Sequence, residues 1–426
     1  MGQARSILAF FSGNLGTNAI GLVASLLVAR WTPPHELGMW NFALLIATYA
    51  SVLQLGVFNG LNRQLPYYSG RKELDRSMQM AEVALAWCVR LSLVSLASLM
   101  VVSLYFAVRE QWAVLSTTLA IGIVLLCSWS LQYLTVAYSA SSEFGRLART
   151  STLLAVAGLA LTGLVYAFGY DGLLVRASVL ALLGSVALYV GRPFHASARW
   201  DRTRFFELAR IGFPIWIVGQ AGALFMTLDR FVLSESPQTL GYYAIAAQFA
   251  GMASMIPAAF NSVLYPRMSR QYGETHVAMA LWQTAAKASL WSCVACAAAG
   301  LVAWFVLPQA IAWLLPSYLP SIEAAQWASL TGLAMGLSAF ANIFNVLSRQ
   351  YVYLAAAAVG VGVFFAAWFA LTRGLARPHL VSAAQSMLLA TFVTSLMSAL
   401  LSRIVCRRHD SRRRRSTVEF VRSLES

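Results

Sequence analysis

The 426 residues are 59% hydrophobic and only 11% charged, and they carry a formal net charge of +15. An ordinary soluble domain is roughly 25% charged, and a water-surrounded core cannot absorb this much apolar surface, so a soluble globular enzyme is excluded. Five cysteines give no disulfide framework: four lie in hydrophobic stretches, and the Cys293/Cys296 pair has no flanking His or further Cys to hold a metal.

A hydrocarbon core about 30 Å thick needs roughly 20 apolar residues per helical crossing. In chain order, runs free of charge occur at 6–29, 37–62, 91–108, 111–142, 150–170, 177–191, 211–228, 236–266, 288–322, 324–348, 350–372 and 380–402, which makes twelve. The runs 177–191 and 211–228 are short and span only if their helices carry Arg176 and Arg230. The first run follows Arg5, is too long for a signal-peptide core, and reads as an uncleaved first helix. Continuous rather than alternating apolarity excludes a transmembrane β-barrel. The expected fold is an all-α polytopic membrane protein of about 12 transmembrane helices.

With the N-terminus placed in the cytoplasm, twelve crossings return the C-terminus to the same side. Basic residues then divide 24 to 5 in favour of the cytoplasm, with Arg90 and Arg176 inside helices. That bias supports the helix count and a multi-pass protein of the bacterial plasma membrane. The positive charge therefore needs no nucleic acid, and the arginines of the tail 405–426 are expected against the anionic inner leaflet.

The long segment 192–210 divides the chain into an N-terminal six-helix lobe at 1–195 and a C-terminal lobe at 196–404. A repeat supports the division. Arg30 precedes Leu37-Gly38-Met-Trp40 and a helix closing on Pro66, and Arg230 precedes Leu240-Gly241-Tyr242-Tyr243 and a helix closing on Pro266-Arg267. Six crossings separate the copies, so both run the same way through the bilayer. Parallel repeats of this kind predict two lobes around a central cavity.

The same residues carry a family likeness. Ala29-Arg30, Pro34, Glu36 and Gly38, then Gly56-Val-Phe-Asn-Gly-Leu-Asn-Arg63, Gly212-Phe-Pro214, Leu228-Asp229-Arg230, Leu240-Gly241-Tyr242 and Pro266-Arg267 make the chain resemble the polysaccharide flippases. These are exporters of lipid-linked oligosaccharide repeat units in the multidrug and oligosaccharidyl-lipid exporter superfamily. Trp31-Thr32 departs from the family's usual Leu. The resemblance implies twelve helices in two lobes around a cavity that opens alternately to each side. It also implies a sugar unit on a polyprenyl diphosphate as cargo, and membrane lipids and polysaccharide polymerase or assembly proteins as partners.

A flippase must hold an anionic sugar-phosphate head group, and intramembrane charges are costly enough that they rarely face lipid. Arg30 and Arg230 occupy equivalent places in the two repeats, and two guanidinium forks suit a diphosphate. Arg90, roughly two turns beyond Glu82, and Arg176 are further cationic candidates for substrate binding. Asn14 and Asn18, one turn apart on the first helix, are candidates for sugar hydroxyls, with bridging to another helix as the competing use. Asp229 is either the ion-pair partner of Arg230 or a protonatable coupling site. Gly212, Pro214, Gly219 and Pro257 permit bending or close helix packing. The sequence holds no Gly-x-x-x-x-Gly-Lys-Ser/Thr loop and calls for no cofactor, so transport is expected to draw on gradients or membrane potential. A cation-coupled drug antiporter of the same fold is the first alternative, and a membrane polysaccharide polymerase or ligase the second. The latter is opposed by the lack of paired carboxylates at an external helix end.

Overall fold

The computed structural model describes the backbone of residues 2–71, 73–141 and 143–425, and the side chains of these outside 2–15, 69, 70, 266 and 412–425. Every regular element among the described residues is helical. The chain forms two compact units, Met1–Gln220 and Ala221–Ser426.

The first unit contains α1 (Gly2–Trp31), α2 (Pro34–Ala50) continued by a 3₁₀ turn at Ser51–Gln54, α3 (Val57–Gly70), α4 (Leu74–Val108) and α5 (Trp112–Ala140). It continues through α6 (Phe144–Ala160) and α7 (Thr162–Val190) into α8 (Arg202–Phe225), which crosses the boundary. The uncharged run 37–62 is therefore not one helix. Leu55 and Gly56 both take positive φ, 50° and 79°, and break it between α2 and α3. Gly56 can make this turn because it lacks a side chain: a Cβ there would lie 2.7 Å from the Gly212 carbonyl carbon, and one on Gly212 would collide with the Gly56 carbonyl oxygen. This backbone-to-backbone contact holds the first half of α8 in the first unit. It explains why the units part at 220/221, where the sequence places the lobe boundary at 195/196. The segment 192–201 likewise lies along α4, with Ser197 Oγ donating to Glu82 Oε1 at 2.7 Å.

Gly169 sits in the left-handed region inside α7 (φ 57°) and turns the chain back on itself. Beyond it, Arg176 and Leu180 lie against Gly158, and Gly184 lies against Leu154. The strand of contacts runs antiparallel, so 144–168 and 170–190 are two crossings. This resolves the short run 177–191, which gains its length from residues 170–176. Among the described residues, ten helical stretches are long and apolar enough to span a bilayer. Adding α1 and the 144–168 arm gives the twelve crossings the sequence predicts. The unit closes around buried Trp129, Tyr138, Leu61, Met80 and Leu208. The indole of Trp129 donates to Ser95 Oγ at 3.0 Å, and the Tyr138 hydroxyl donates to the Leu188 carbonyl at 3.0 Å.

The second unit contains α9 (Leu228–Val232), α10 (Pro237–Thr275) and α11 (Ala278–Leu314). A segmented crossing follows: a 3₁₀ turn at Pro316–Ser321, α12 (Ile322–Ser329), α13 (Thr331–Met335), a second 3₁₀ turn at Gly336–Phe340 and α14 (Ala341–Val346). The unit ends with α15 (Tyr351–Phe369), a π turn at Ala370–Gly374 and α16 (His379–Glu425). Small residues mark the buried side of α16, and Thr394 lies against Gly360 of α15. Ser382, Ser386, Ala390, Thr394, Ser398 and Ser402 recur every fourth residue on α16, and all are buried. Lipid tails are as apolar as leucine, so helices in a membrane gain by approaching closely through such residues. Further along α16, the Asp410 carboxylate accepts the backbone N–H groups of Ala278 (2.8 Å) and Met279 (2.9 Å), capping the first turn of α11. The neighbouring His409 ring nitrogen bonds the Tyr272 hydroxyl at 2.6 Å.

Candidate functional site

The structure places the sequence-derived candidates in distinct settings. Asn14 lies outside the described side chains, and Asn18 is exposed on α1. Arg30 is exposed at the end of α1. Arg90 stacks on Trp200, with its guanidinium carbon 3.3 Å from the ring centroid. The contact is a cation–π pair in which the 192–201 segment supplies the ring, and Trp200 packs in turn on Phe205. Arg176 donates from Nε to the Gly158 carbonyl at 2.9 Å. That carbonyl precedes the bend at Leu161 between α6 and α7, where the regular ladder is interrupted. Arg90 and Arg176 are thus both engaged by the protein itself.

The two copies of the repeat correspond more closely than their Leu-Gly pairs indicate. Pro34 and Pro237 each open a helix, so Leu37 and Leu240 fall in the first turn and Trp40 and Tyr243 lie one turn on, all four buried. Proline suits that first position because its missing N–H has no intrahelical partner there anyway. The copies diverge further on, since α10 runs unbroken where α2 gives way to α3. In the second copy Tyr243 donates its hydroxyl to Asp229 Oδ2 at 2.8 Å, and the backbone N–H of Arg230 donates to Oδ1 at 2.8 Å. Asp229 is 4% exposed, and burial pushes its carboxyl above the ordinary carboxylate range. Arg230 is half-buried, and its Nε is enclosed without a partner among the described residues. No ion pair joins Asp229 to Arg230 among the described side chains, whose five ion pairs all lie elsewhere.

A polar cavity of about 470 Å³ opens in the first unit, lined by Gln54, Phe58, Asn59, Asn62, Arg63, Leu131, Gln132, Thr135, Val136 and Ile215. Its wall is an amphipathic helix. On α3, Phe58, Leu61, Leu65 and Tyr68 are buried, while Asn59, Asn62 and Arg63 turn one face to the cavity. From α5, Gln132 and Thr135 face them, and Gln54 closes the end just before the break at Leu55. Three kinds of group converge here. The amides of Asn and Gln both donate and accept, the threonine hydroxyl does the same, and the Arg63 guanidinium offers planar paired donors. Of the sequence-derived candidates, none lines this cavity. Reasoning from charged residues inside crossings passed over it, because Arg63 reads as a loop-end cation and its partners are uncharged. The signal was present as the i, i+3, i+4 spacing of Asn59, Asn62 and Arg63. In the second unit a smaller polar group joins α10 to the segmented crossing: Asn261 Nδ2 donates to Ser338 Oγ (2.8 Å), and Asn342 Nδ2 donates to Asn261 Oδ1 (3.0 Å).

Comparison with solved structures shows the fold class. An inward-facing multidrug resistance MATE family transporter of the MOP superfamily aligns with a TM-score of 0.68 at 14% identity, covering 92% of this chain and 96% of that one. The lipid II flippase MurJ, in an inward closed conformation, aligns with a TM-score of 0.63 at 14% identity over 92% of this chain and 86% of that one. The MATE transporter VcmN of Vibrio cholerae, in its bent form, aligns with a TM-score of 0.56 at 14% identity over 95% of this chain and 99% of that one. Among curated proteins, no sequence matches. The profile of the polysaccharide biosynthesis protein family matches residues 4–271, more than half of the chain, and this multi-pass helical membrane protein belongs to that family.

Proposed function

We propose that this protein is a flippase that moves a lipid-linked oligosaccharide, a polysaccharide repeat unit on a polyprenyl diphosphate, from the cytoplasmic to the external leaflet by alternating access. The observation that carries the reading is the cavity bounded by Asn59, Asn62, Arg63, Gln132 and Thr135. Amides and a hydroxyl match the donor and acceptor pattern of sugar hydroxyls, and one guanidinium matches a phosphate. The bias of basic residues toward one side supports a cytoplasmic position for this end of α3, where the repeat unit would be loaded, and for both termini. Arg30 and Arg230, each within its own unit, are the further cationic candidates for the diphosphate. Asp229 is the coupling group: it is buried, its proton affinity is raised, and it sits beside a guanidinium that does not pair with it.

The test is a deletion strain that makes the matching surface polymer. Lipid-linked repeat units should accumulate in the cytoplasmic leaflet, the intact gene should clear them, and Arg63→Ala should not. Loss of drug tolerance with normal polymer would instead support the antiporter reading.

A further inference from the structure

A second cavity, of about 320 Å³, lies in the first unit on the opposite face of α5 from the polar cavity. It is lined by Leu85, Val89, Leu93 and Leu96 of α4, by Tyr133 of α5, and by Arg192 just beyond the end of α7. We propose that this slot holds one acyl chain of an anionic membrane phospholipid, with the lipid phosphate on Arg192.

Three features argue for that occupant. The slot is a side opening onto the bilayer: Val89, Leu93 and Leu96 are 42%, 60% and 42% exposed, so lipid rather than water is their solvent. From Leu85 to Leu96 the α4 wall extends about 16 Å at the rise of a helix, which is about one leaflet of a 30 Å hydrocarbon core. The lining carries positive charge at a fixed place. Arg192 Nη1 donates to the Tyr189 carbonyl at 3.2 Å, and its guanidinium carbon lies 4.0 Å from the Tyr189 ring centroid. Among the described residues that carbonyl is its one side-chain hydrogen-bond partner, so the outer edge of the fork remains for a phosphate. The nearby Arg146 is paired with Glu143 at 3.2 Å and does not compete for the lipid charge. A basic residue closing an apolar crevice between membrane helices is the arrangement that recognises anionic head groups, and the leaflet concerned is the one beside residues 192–210. The polar cavity uses Leu131, Gln132, Thr135 and Val136 of α5, whereas the slot uses Leu126, Ser130, Tyr133 and Leu134, so the two sites are separate.

The experiment is native mass spectrometry of the full-length purified chain, titrated with phosphatidylglycerol or phosphatidylcholine in mixed micelles. Phosphatidylglycerol should be retained in preference by about fivefold, the worth of one arginine at a membrane surface. Arg192→Gln should abolish the preference, and Ser92→Trp, which fills the slot, should reduce retention of both lipids. Gel filtration identifies any misfolded variant, and Arg192→Gln alters only a half-exposed side chain, so that arm remains decisive. Equal retention of the two lipids by the native chain, or an unchanged preference in Arg192→Gln, overturns the proposal. Neither outcome bears on transport.

Discussion

The Tyr243 hydroxyl lies 2.8 Å from Oδ2 of Asp229, fourteen residues earlier in the chain, and both groups are buried. This bond ties the second copy of the Leu-Gly-x-aromatic motif to the acidic residue that precedes it. Removing one partner of a buried pair leaves the other unsatisfied, at a cost of about 1–3 kcal/mol. Tyr243→Phe should therefore lower the unfolding temperature in detergent, and Asp229→Asn, which can still accept the hydroxyl, should lower it less.

The same carboxyl gives a pH prediction. Because burial raises its proton affinity in the folded protein, the folded state binds a proton more tightly than the unfolded state. Its contribution is fully present below the ordinary carboxylate value of about 3.9, and is lost as pH rises through the raised folded value. Stability of the native chain should fall with rising pH across that window, and Asp229→Asn should flatten the fall. Parallel pH curves for the two proteins would remove Asp229 as a titrating group.

Gly212 and Gly219 read alike in the sequence, yet the structure separates them. A Cβ on Gly212 meets the Gly56 backbone, whereas one on Gly219 meets nothing within 4 Å. Gly212→Ala should destabilise by about 1–3 kcal/mol, the range for overpacking a tight contact, and reduce the yield of folded protein. Gly219→Ala should leave yield and unfolding temperature unchanged or slightly raised. A reversed order, measured by gel filtration and thermal melts, would discount the α3–α8 contact.

Arg63 and Arg90 should separate transport from packing. Arg63→Ala should cut clearance of lipid-linked intermediate by about tenfold or more, the scale of one lost charge-assisted bond, without moving the unfolding temperature. Arg90→Ala removes a cation–π contact with Trp200 worth about 1 kcal/mol and should lower the unfolding temperature while transport persists. Clearance assays and melts on the same variants check both.

Most of the architecture was legible because lipid imposes one strong rule, an uncharged helix of about 20 residues per crossing. The breaks were not legible. Leu55–Gly56 and the turn at Gly169 lie inside apolar runs, the segmented stretch 316–346 spans two runs across Glu323, and close backbone packing accompanies each: Gly56 on Gly212, Gly172 on Leu164 and Gly332 on Ala253. For the site the sequence offered candidates only. Asp229 and Arg230 do sit in an unusual buried setting, but Arg90 found its partner 110 residues away in a segment that reads as a loop. The polar cavity escaped because hydropathy weighs an asparagine lightly, whereas its effect depends on which face of the helix it occupies.

A helix that buries small side chains (serine, alanine or threonine) at every fourth position has a weakly marked register. Slipping α16 by four residues, about 6 Å, would set small residue against small residue again, so shape alone fixes its axial position poorly. The vernier must come from the ends. Asp410, gripping two amides of α11, and Gln385, receiving the Arg377 guanidinium at 3.2 Å, act as the stops that set this helix at one height.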